Sequence, residues 1–232
     1  FLSRFTKSDK VLLVARTTPR EQVQKRTDGI TLFLADTDDP AFSIRRIKFA
    51  GRHVVPSFDV AIENLFVPDE NVVGEVGRGF YHLLSVLNPE RITLAAECIG
   101  AGLRAVAKAV EYANQRVVFG RPIGQNQGIQ FPLAEAYMKL QAARIMTYHA
   151  ASLYDRGEPC GEEANTAKFL AAEAAYMATD RAVQTLGGHG YAKDNSVERF
   201  WRESRLGLIA PVSQEMILNF IGEKVLGLPR SY

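Results

Sequence analysis

NPERITLAAECIGAGLRAVAKAVEYANQR, residues 88–116, is the stretch that decides the fold. Ile92, Ala95, Ala96, Ile99, Leu103, Val106 and Val110 recur at intervals of three and four, the period of a helix with one apolar face. Asn88 reads as an N-cap and Pro89 as the first helical residue, so a helix is predicted from about Pro89 to Arg116. Proline stays rare downstream. A second helix is expected from about Ile129 to Arg156, broken by Gly157-Glu158-Pro159. A third is expected from about Glu162 to Leu186, stopped by Gly187-Gly188. Asn195-Ser196-Val197-Glu198 has the form of a capping box opening a short helix, and a last helix follows Pro211. Long helices with short connections predict an antiparallel bundle. Ala164, Ala167, Ala171, Ala174, Ala175 and Ala178 would let the third helix approach its neighbours closely.

The residues before this stretch follow a different rule. Five alanines fall in residues 1–89 and 23 in 90–232, and alanine favours helix over strand. The first part carries short apolar runs at Val11–Ala15, Ile30–Ala35, Phe42–Phe49 and Val60–Val67, separated by Thr18-Pro19, Asp28-Gly29 and Asp38-Asp39-Pro40. These read as antiparallel strands of a barrel or sandwich. Ile44, Ile47 and Phe49 break strict alternation, which predicts a bulge. The expected class is therefore α+β: an antiparallel β-barrel or sandwich segment over residues 1–75, then an α-helical bundle over 76–232, joined near Gly74–Gly79.

Composition excludes several functions. A formal charge of +2 lacks the basic excess of a phosphate-tracking nucleic-acid surface. No apolar run is long enough to span a membrane as a helix. Cys98 and Cys160 have no CxxC spacing, and His53, His82, His149 and His189 form no metal pattern, so no metal is expected. The cysteine usage points to a reducing compartment, cytoplasmic by preference or the mitochondrial matrix in a eukaryote. The sequence starts at Phe1 with no visible signal peptide and reads as a cut through a longer protein.

Three short motifs admit chemistry, each beside a plainer reading. Gly187-Gly188-His189-Gly190 follows a helix rather than a strand, so alone it is a helix stop. Arg116 and Arg121 flank Phe119-Gly120 at a helix end: they either clamp a pyrophosphate or complement the helix dipole. Glu90 in Asn88-Pro89-Glu90-Arg91 sits where a first-turn carboxylate is favoured without any function.

Together these pieces resemble the acyl-CoA dehydrogenase family across essentially the whole chain. Leu65-Phe66-Val67-Pro68-Asp69-Glu70-Asn71-Val72-Val73-Gly74, then Gly77-Arg78-Gly79-Phe80, is similar to that family's exit from its central β-domain. Arg116-x-x-Phe119-Gly120-x-Pro122-Ile123 with Gln127, and Ala182-Val183-Gln184-x-Leu186-Gly187-Gly188-x-Gly190-Tyr191, resemble its two C-terminal flavin motifs. Val197-Glu198-Arg199 and Arg202 continue the pattern.

The resemblance implies FAD-dependent α,β-dehydrogenation of acyl-CoA thioesters, with electrons passed to an electron-transferring flavoprotein. It implies a homo-oligomer, a dimer of dimers, with the flavin at a subunit interface. Arg116, Phe119, Gln127, Gln184, Gly187 and Gly188 would contact a flavin held mainly by the partner subunit. Phe1-Leu2-Ser3 falls at the family's Trp-Ile-Thr run, so Phe1 and Ser3 would lie against the flavin ring, with Phe1 in place of the usual tryptophan. Many members carry their catalytic glutamate in a Tyr-Glu-Gly-Thr segment. Here that place reads Ala210-Pro211-Val212-Ser213, with Ser213 as a further flavin contact. Another branch, with isovaleryl- and long-chain-type enzymes, carries the base at the start of the long helix, where Glu90 stands. Asn88 and Arg91 would position the base and the thioester. An acyl-CoA oxidase and a non-catalytic oligomerising fragment are the alternatives.

Overall fold

In the computed structural model, which describes residues 2–231, the chain divides into two compact units, Phe1–Leu87 and Asn88–Tyr232. The first unit is built from six strands. They are β1 (Leu2–Ser3), β2 (Lys10–Arg16), β3 (Ile30–Asp36), β4 (Phe42–Ile47), β5 (Ser57–Ile62) and β6 (Val72–Val73). They form two antiparallel three-stranded sheets, ordered β1-β5-β4 and β2-β3-β6. Phe5, Val11, Ala35 and Phe58 are buried together with Leu13, Phe42 and Val60, so apolar faces of both sheets share one core. This is the sandwich alternative; no closed barrel forms among the described residues.

Two strand expectations need correction. β4 pairs β5 one-to-one from Phe42↔Ile62 to Ile47↔Ser57, so the expected bulge is absent and Phe49 lies beyond the strand's end. The run expected at 60–67 instead forms a strand from Ser57 to Ile62. Asn64, at φ 56°, takes the left-handed backbone that ends extended pairing.

The 74–79 connection is tied to the sheet. Thr31, fully buried, accepts from the Gly77 N–H at 2.9 Å, and the Gly29 N–H donates to the Gly77 carbonyl at 2.9 Å. Gly79 has no room for a side chain, since a Cβ there would lie 2.8 Å from the Leu32 nitrogen.

Helix α1 runs from Gly79 to Gln115, with Pro89 inside it. The expected start at Pro89 with Asn88 as N-cap is therefore wrong by ten residues. Phe80, Leu83, Leu84 and Leu87 already have helical spacing, and Tyr81 in the first turns donates to Asp28 at 2.8 Å. Proline costs one helical hydrogen bond, which this packing outweighs.

The second unit adds a two-residue hairpin, β7 (Val117–Val118) and β8 (Arg121–Pro122), then α2 (Gln127–Asp155) and α3 (Gly161–Leu186). These are followed by α4 (Gly188–Tyr191), α5 (Val197–Gly207) and α6 (Gln214–Phe220), the last running into a π-helical turn at Ile221–Val225. Ile92 and Ile99 of α1 share a core with Ala143 and Ala150 of α2 and Ala164 and Ala171 of α3. Ala105 and Ala109 share another with Leu133, Ala182 and Leu186. That order is an antiparallel three-helix bundle, as expected. The six alanines named in α3 are all buried. Gly102 brings α1 in closely, because a Cβ there would lie 2.7 Å from Leu140 and 3.2 Å from the Ala175 Cα. The capping box does not form: Ser196 has φ 60° and makes no side-chain cap, while Asn195 donates to the His189 carbonyl at 3.0 Å. No helix among the described residues is long and apolar enough to cross a membrane.

Candidate functional site

The bundle sorts the residues singled out in the sequence into two groups, one at each end. At the end where α1 enters the second unit stand Asn88, Glu90 and Arg91. Glu90 is exposed, whereas Arg91 is half-buried and donates to Asn88 Oδ1 at 3.0 Å. Arg91 Nε is buried without a partner, a donor aimed at nothing this chain supplies. Burial lowers the affinity of this guanidinium for its proton, and the neighbouring Glu90 charge opposes that. Because α1 begins at Gly79, Glu90 lies about three turns inside it. The helix N-terminus does not act on it, since that field fades within the first turn.

Lys168 of α3 belongs to this end and was missed in the sequence. It is fully buried and donates to the Val212 carbonyl at 2.7 Å and to Gln214 Oε1 at 3.0 Å. Burial pushes its ammonium below the ordinary lysine range; Cys98 and Glu215 oppose this and Arg91 adds to it. A lysine beside Ala164, Ala167 and Ala171 on a stripe of buried alanines was the readable signal. Cys160 lies here too, its thiol pushed up by burial and then by Glu163, with Asn88 opposing through a hydrogen bond. Ser213 also falls at this end, away from the other residues of the unit that the sequence suggested as flavin contacts. Its Oγ caps α6 by accepting from the Met216 N–H at 3.3 Å.

At the opposite end the β7–β8 hairpin, the start of α2 and the end of α3 converge. Phe119 and Gly120 turn the hairpin with φ of 55° and 78°, the pair of positive values that a tight two-residue hairpin requires. Phe119 is 100% exposed, an aromatic ring in a strained backbone that packs on nothing in its own chain. Arg116, Gln127 and Gln184 are exposed at this end, and the Ile123 N–H donates to the Arg116 carbonyl at 2.9 Å. Arg121 is held aside by Asn126 Oδ1 at 2.8 Å.

The glycines at this end differ in a telling way. A Cβ on Gly190 would lie 2.4 Å from the Val183 carbonyl oxygen, so packing alone requires glycine there. A Cβ on Gly187 or Gly188 would meet nothing within 4 Å. Gly187 has φ 58°, which explains its identity as a helix stop, but Gly188 needs glycine for no reason inside this chain. An open backbone edge beside a free aromatic ring and an arginine fits a phosphate-linked dinucleotide approaching from outside.

Glu90 and Arg116 are separated by about seven turns of one helix, about 39 Å at a rise of about 1.5 Å per residue. Ser3 stands in the first unit, its Oγ 3.0 Å from Ser57 Oγ. Phe1 lies outside the described residues.

The description "Acyl-CoA dehydrogenase, C-terminal domain" matches residues 77–226. Acyl-CoA dehydrogenase fadE12 of Mycobacterium bovis is 40% identical over 100% of the chain, which covers 60% of that protein. Butyryl-CoA dehydrogenase of Megasphaera elsdenii superposes with a TM-score of 0.90 at 33% identity, over 97% of this chain and 58% of that one. A structure described as the electron transferring flavoprotein of Acidaminococcus fermentans gives a TM-score of 0.90 at 32% identity, over 97% of this chain and 58% of the other. The chain thus spans about 60% of the length of the relatives it matches. With both sheets, the bundle and most of its length matched in this way, the chain belongs to the acyl-CoA dehydrogenase family.

Proposed function

We propose that the whole protein is an FAD-dependent acyl-CoA dehydrogenase acting in fatty-acid β-oxidation in the cytoplasm. In this reading it oxidises the Cα–Cβ bond of an acyl-CoA thioester and passes the electrons to an electron-transferring flavoprotein. The observation that carries the reading is the spacing of Glu90, about three turns inside α1, from Arg116, just past its C-terminal end, about 39 Å away. A dinucleotide cannot reach both across that span, so each chain serves two sites: its own through Glu90 and a partner's through Arg116. The homo-oligomer is part of the proposal. Exposed Phe131, Met138 and Ile145, seven residues apart on α2, give it an apolar face to pack.

FAD, when bound, supplies the hydride-accepting ring. The chain supplies the rest. Arg116 offers a forked donor to the pyrophosphate, Gly187 and Gly188 let the backbone come close, and Phe119 covers the adenosine side with Gln127 and Gln184 beside it. Ser3 offers a hydroxyl to the ring edge and Ser213 a contact beside α6.

Glu90 takes the α-proton. An acyl chain laid over its exposed carboxylate keeps water out of the proton transfer. Arg91 and Asn88, joined by their 3.0 Å hydrogen bond, orient the thioester end.

The test is an anaerobic titration of the full-length flavoprotein with a panel of acyl-CoAs. Bleaching of the flavin band by some chain lengths is the expected result; no bleaching by any of them overturns the reading. Oxygen consumption with acyl-CoA, measured against reduction of an electron-transferring flavoprotein, separates a dehydrogenase from an oxidase.

A further inference from the structure

The connection between β4 and β5 has a charge pattern the fold does not require. From residue 40 to residue 58 there is no aspartate or glutamate, yet Arg45, Arg46, Lys48, Arg52 and His53 fall within it. Arg45 is neutralised by Asp59 at 2.8 Å. Arg46, Lys48, Arg52 and His53 line an open cavity of about 450 Å³, and Arg46 and Lys48 are exposed. The lining also includes the apolar residues Ile47, Phe49, Val55 and Pro56. Val54 at the loop tip is 92% exposed. A cationic rim around an apolar cavity is the pattern of a surface that receives an acidic partner presenting an apolar side chain.

The position of this loop matters as much as its charge. Ser57 lines the cavity and its Oγ lies 3.0 Å from Ser3 Oγ, while the carbonyl of Pro56, also in the wall, accepts from the Arg4 N–H at 2.8 Å. The cavity is therefore one strand away from the residue read as touching the flavin edge. Electron transfer weakens steeply with distance, so a protein that collects electrons must dock beside that edge.

We propose that the basic β4–β5 connection is the docking surface for an acidic electron-acceptor protein, steering it to the flavin edge at Ser3. The inference rests on the flavoenzyme reading above and adds the acceptor's footprint. Docking makes and breaks no covalent bond; the two electrons the acceptor receives are those the substrate loses with its α- and β-hydrogens. Arg46, Lys48 and Arg52 are spaced along the cavity lining from Arg46 to Ser57. That arrangement favours a broad acidic surface over a single phosphate.

The experiment compares the full-length holoenzyme with its Arg46→Glu/Lys48→Glu variant, using an electron-transferring flavoprotein as the acceptor and a small dye as control. Both side chains are exposed, so melting temperature and FAD content should not change. The second-order rate of acceptor reduction should fall by at least roughly tenfold at low salt and lose most of its salt dependence. Affinity for the acceptor, measured by calorimetry on enzyme whose flavin was reduced chemically, should weaken in parallel. Dye reduction should stay at the wild-type rate, and Arg46→Lys/Lys48→Arg should behave as wild type.

Unchanged acceptor affinity and rate in the charge-reversed variant would overturn the proposal. So would a raised KM for acyl-CoA with an unchanged KM for the acyl-pantetheine ester, because the rim would then be holding the nucleotide phosphates. The calorimetric readout needs no substrate, so failure of the dehydrogenase reading leaves the docking result interpretable.

Discussion

The ammonium of Lys168 and the main-chain carbonyl of Val212 are joined by a 2.7 Å hydrogen bond, and the same ammonium reaches Gln214 Oε1 at 3.0 Å. Gln214 in turn donates through Nε2 to the Phe169 carbonyl at 3.2 Å. One buried side chain thus fixes the turn that leads from α5 into α6. Hydrogen bonds to charged groups contribute about 1.5–3 kcal/mol each. Lys168→Met keeps the stem and leaves two acceptors unmatched, so unfolding in urea should begin earlier by about 2–4 kcal/mol. A midpoint equal to wild type would mean those acceptors find other donors.

Glu90→Gln retains shape and cannot accept a proton. Flavin reduction by substrate should slow by at least about 10²–10⁴-fold, the usual contribution of a positioned general base. FAD content and acyl-CoA binding should survive, because the carboxylate is exposed and does not hold the fold. Wild-type reduction rates in stopped flow would place the base elsewhere.

Two glycines two residues apart should respond in opposite ways. Gly190→Ala drives a methyl against the Val183 backbone and should lower stability by about 1–3 kcal/mol. Gly188→Ala meets nothing in its own chain, so its melting curve should match wild type while its flavin is lost on dialysis. Full retention of FAD by Gly188→Ala would remove the reason offered for that residue.

Acid sensitivity should be traceable to Glu198. Arg202 donates to it through Nε at 2.6 Å and through Nη2 at 3.2 Å, and this hydrogen bonding holds its carboxyl below the ordinary 4.5. A carboxyl lowered in the folded state contributes stability above its unfolded value and loses it as pH falls through the folded one. Wild type should therefore exceed Glu198→Gln in melting temperature at pH 7, with the gap closing from about pH 4.5 downward. A gap that stays constant to pH 3 would assign the difference to packing.

Much of the architecture was legible because alanine and proline are distributed so unevenly. The gaps between Pro132, Pro159 and Pro211 set α2 and α3 to within two residues, and the antiparallel order followed from the short turn at Gly157. Pro89 misled, because a residue that favours helix starts also survives inside a helix whose upstream turns are packed. Asn64 shows the same limit for strands: Val60 to Val67 is apolar apart from Glu63 and Asn64, and one left-handed residue ends the ladder. The site was less accessible. Nothing local shows that Arg116, Gln127 and Gly188 belong to one end of the bundle, since that depends on three helix ends packing into one core. Lys168 disappears into an alanine-rich helix unless its place on the buried stripe is counted. Ser213, read as a flavin contact, spends its oxygen on a helix cap that spacing alone did not reveal.

The length of α1 has a genetic corollary. In the reading proposed above, with Glu90 and Arg116 about 39 Å apart along α1, a damaged base and a damaged flavin clamp are defects of different sites in the assembled protein. Glu90→Gln and Arg116→Ala chains, each inactive alone, should complement when co-expressed. In a mixed pair one site inherits both lesions and the other inherits neither. Up to half of the sites in such pairs recover, and two alleles of one gene behave as though they lay in two.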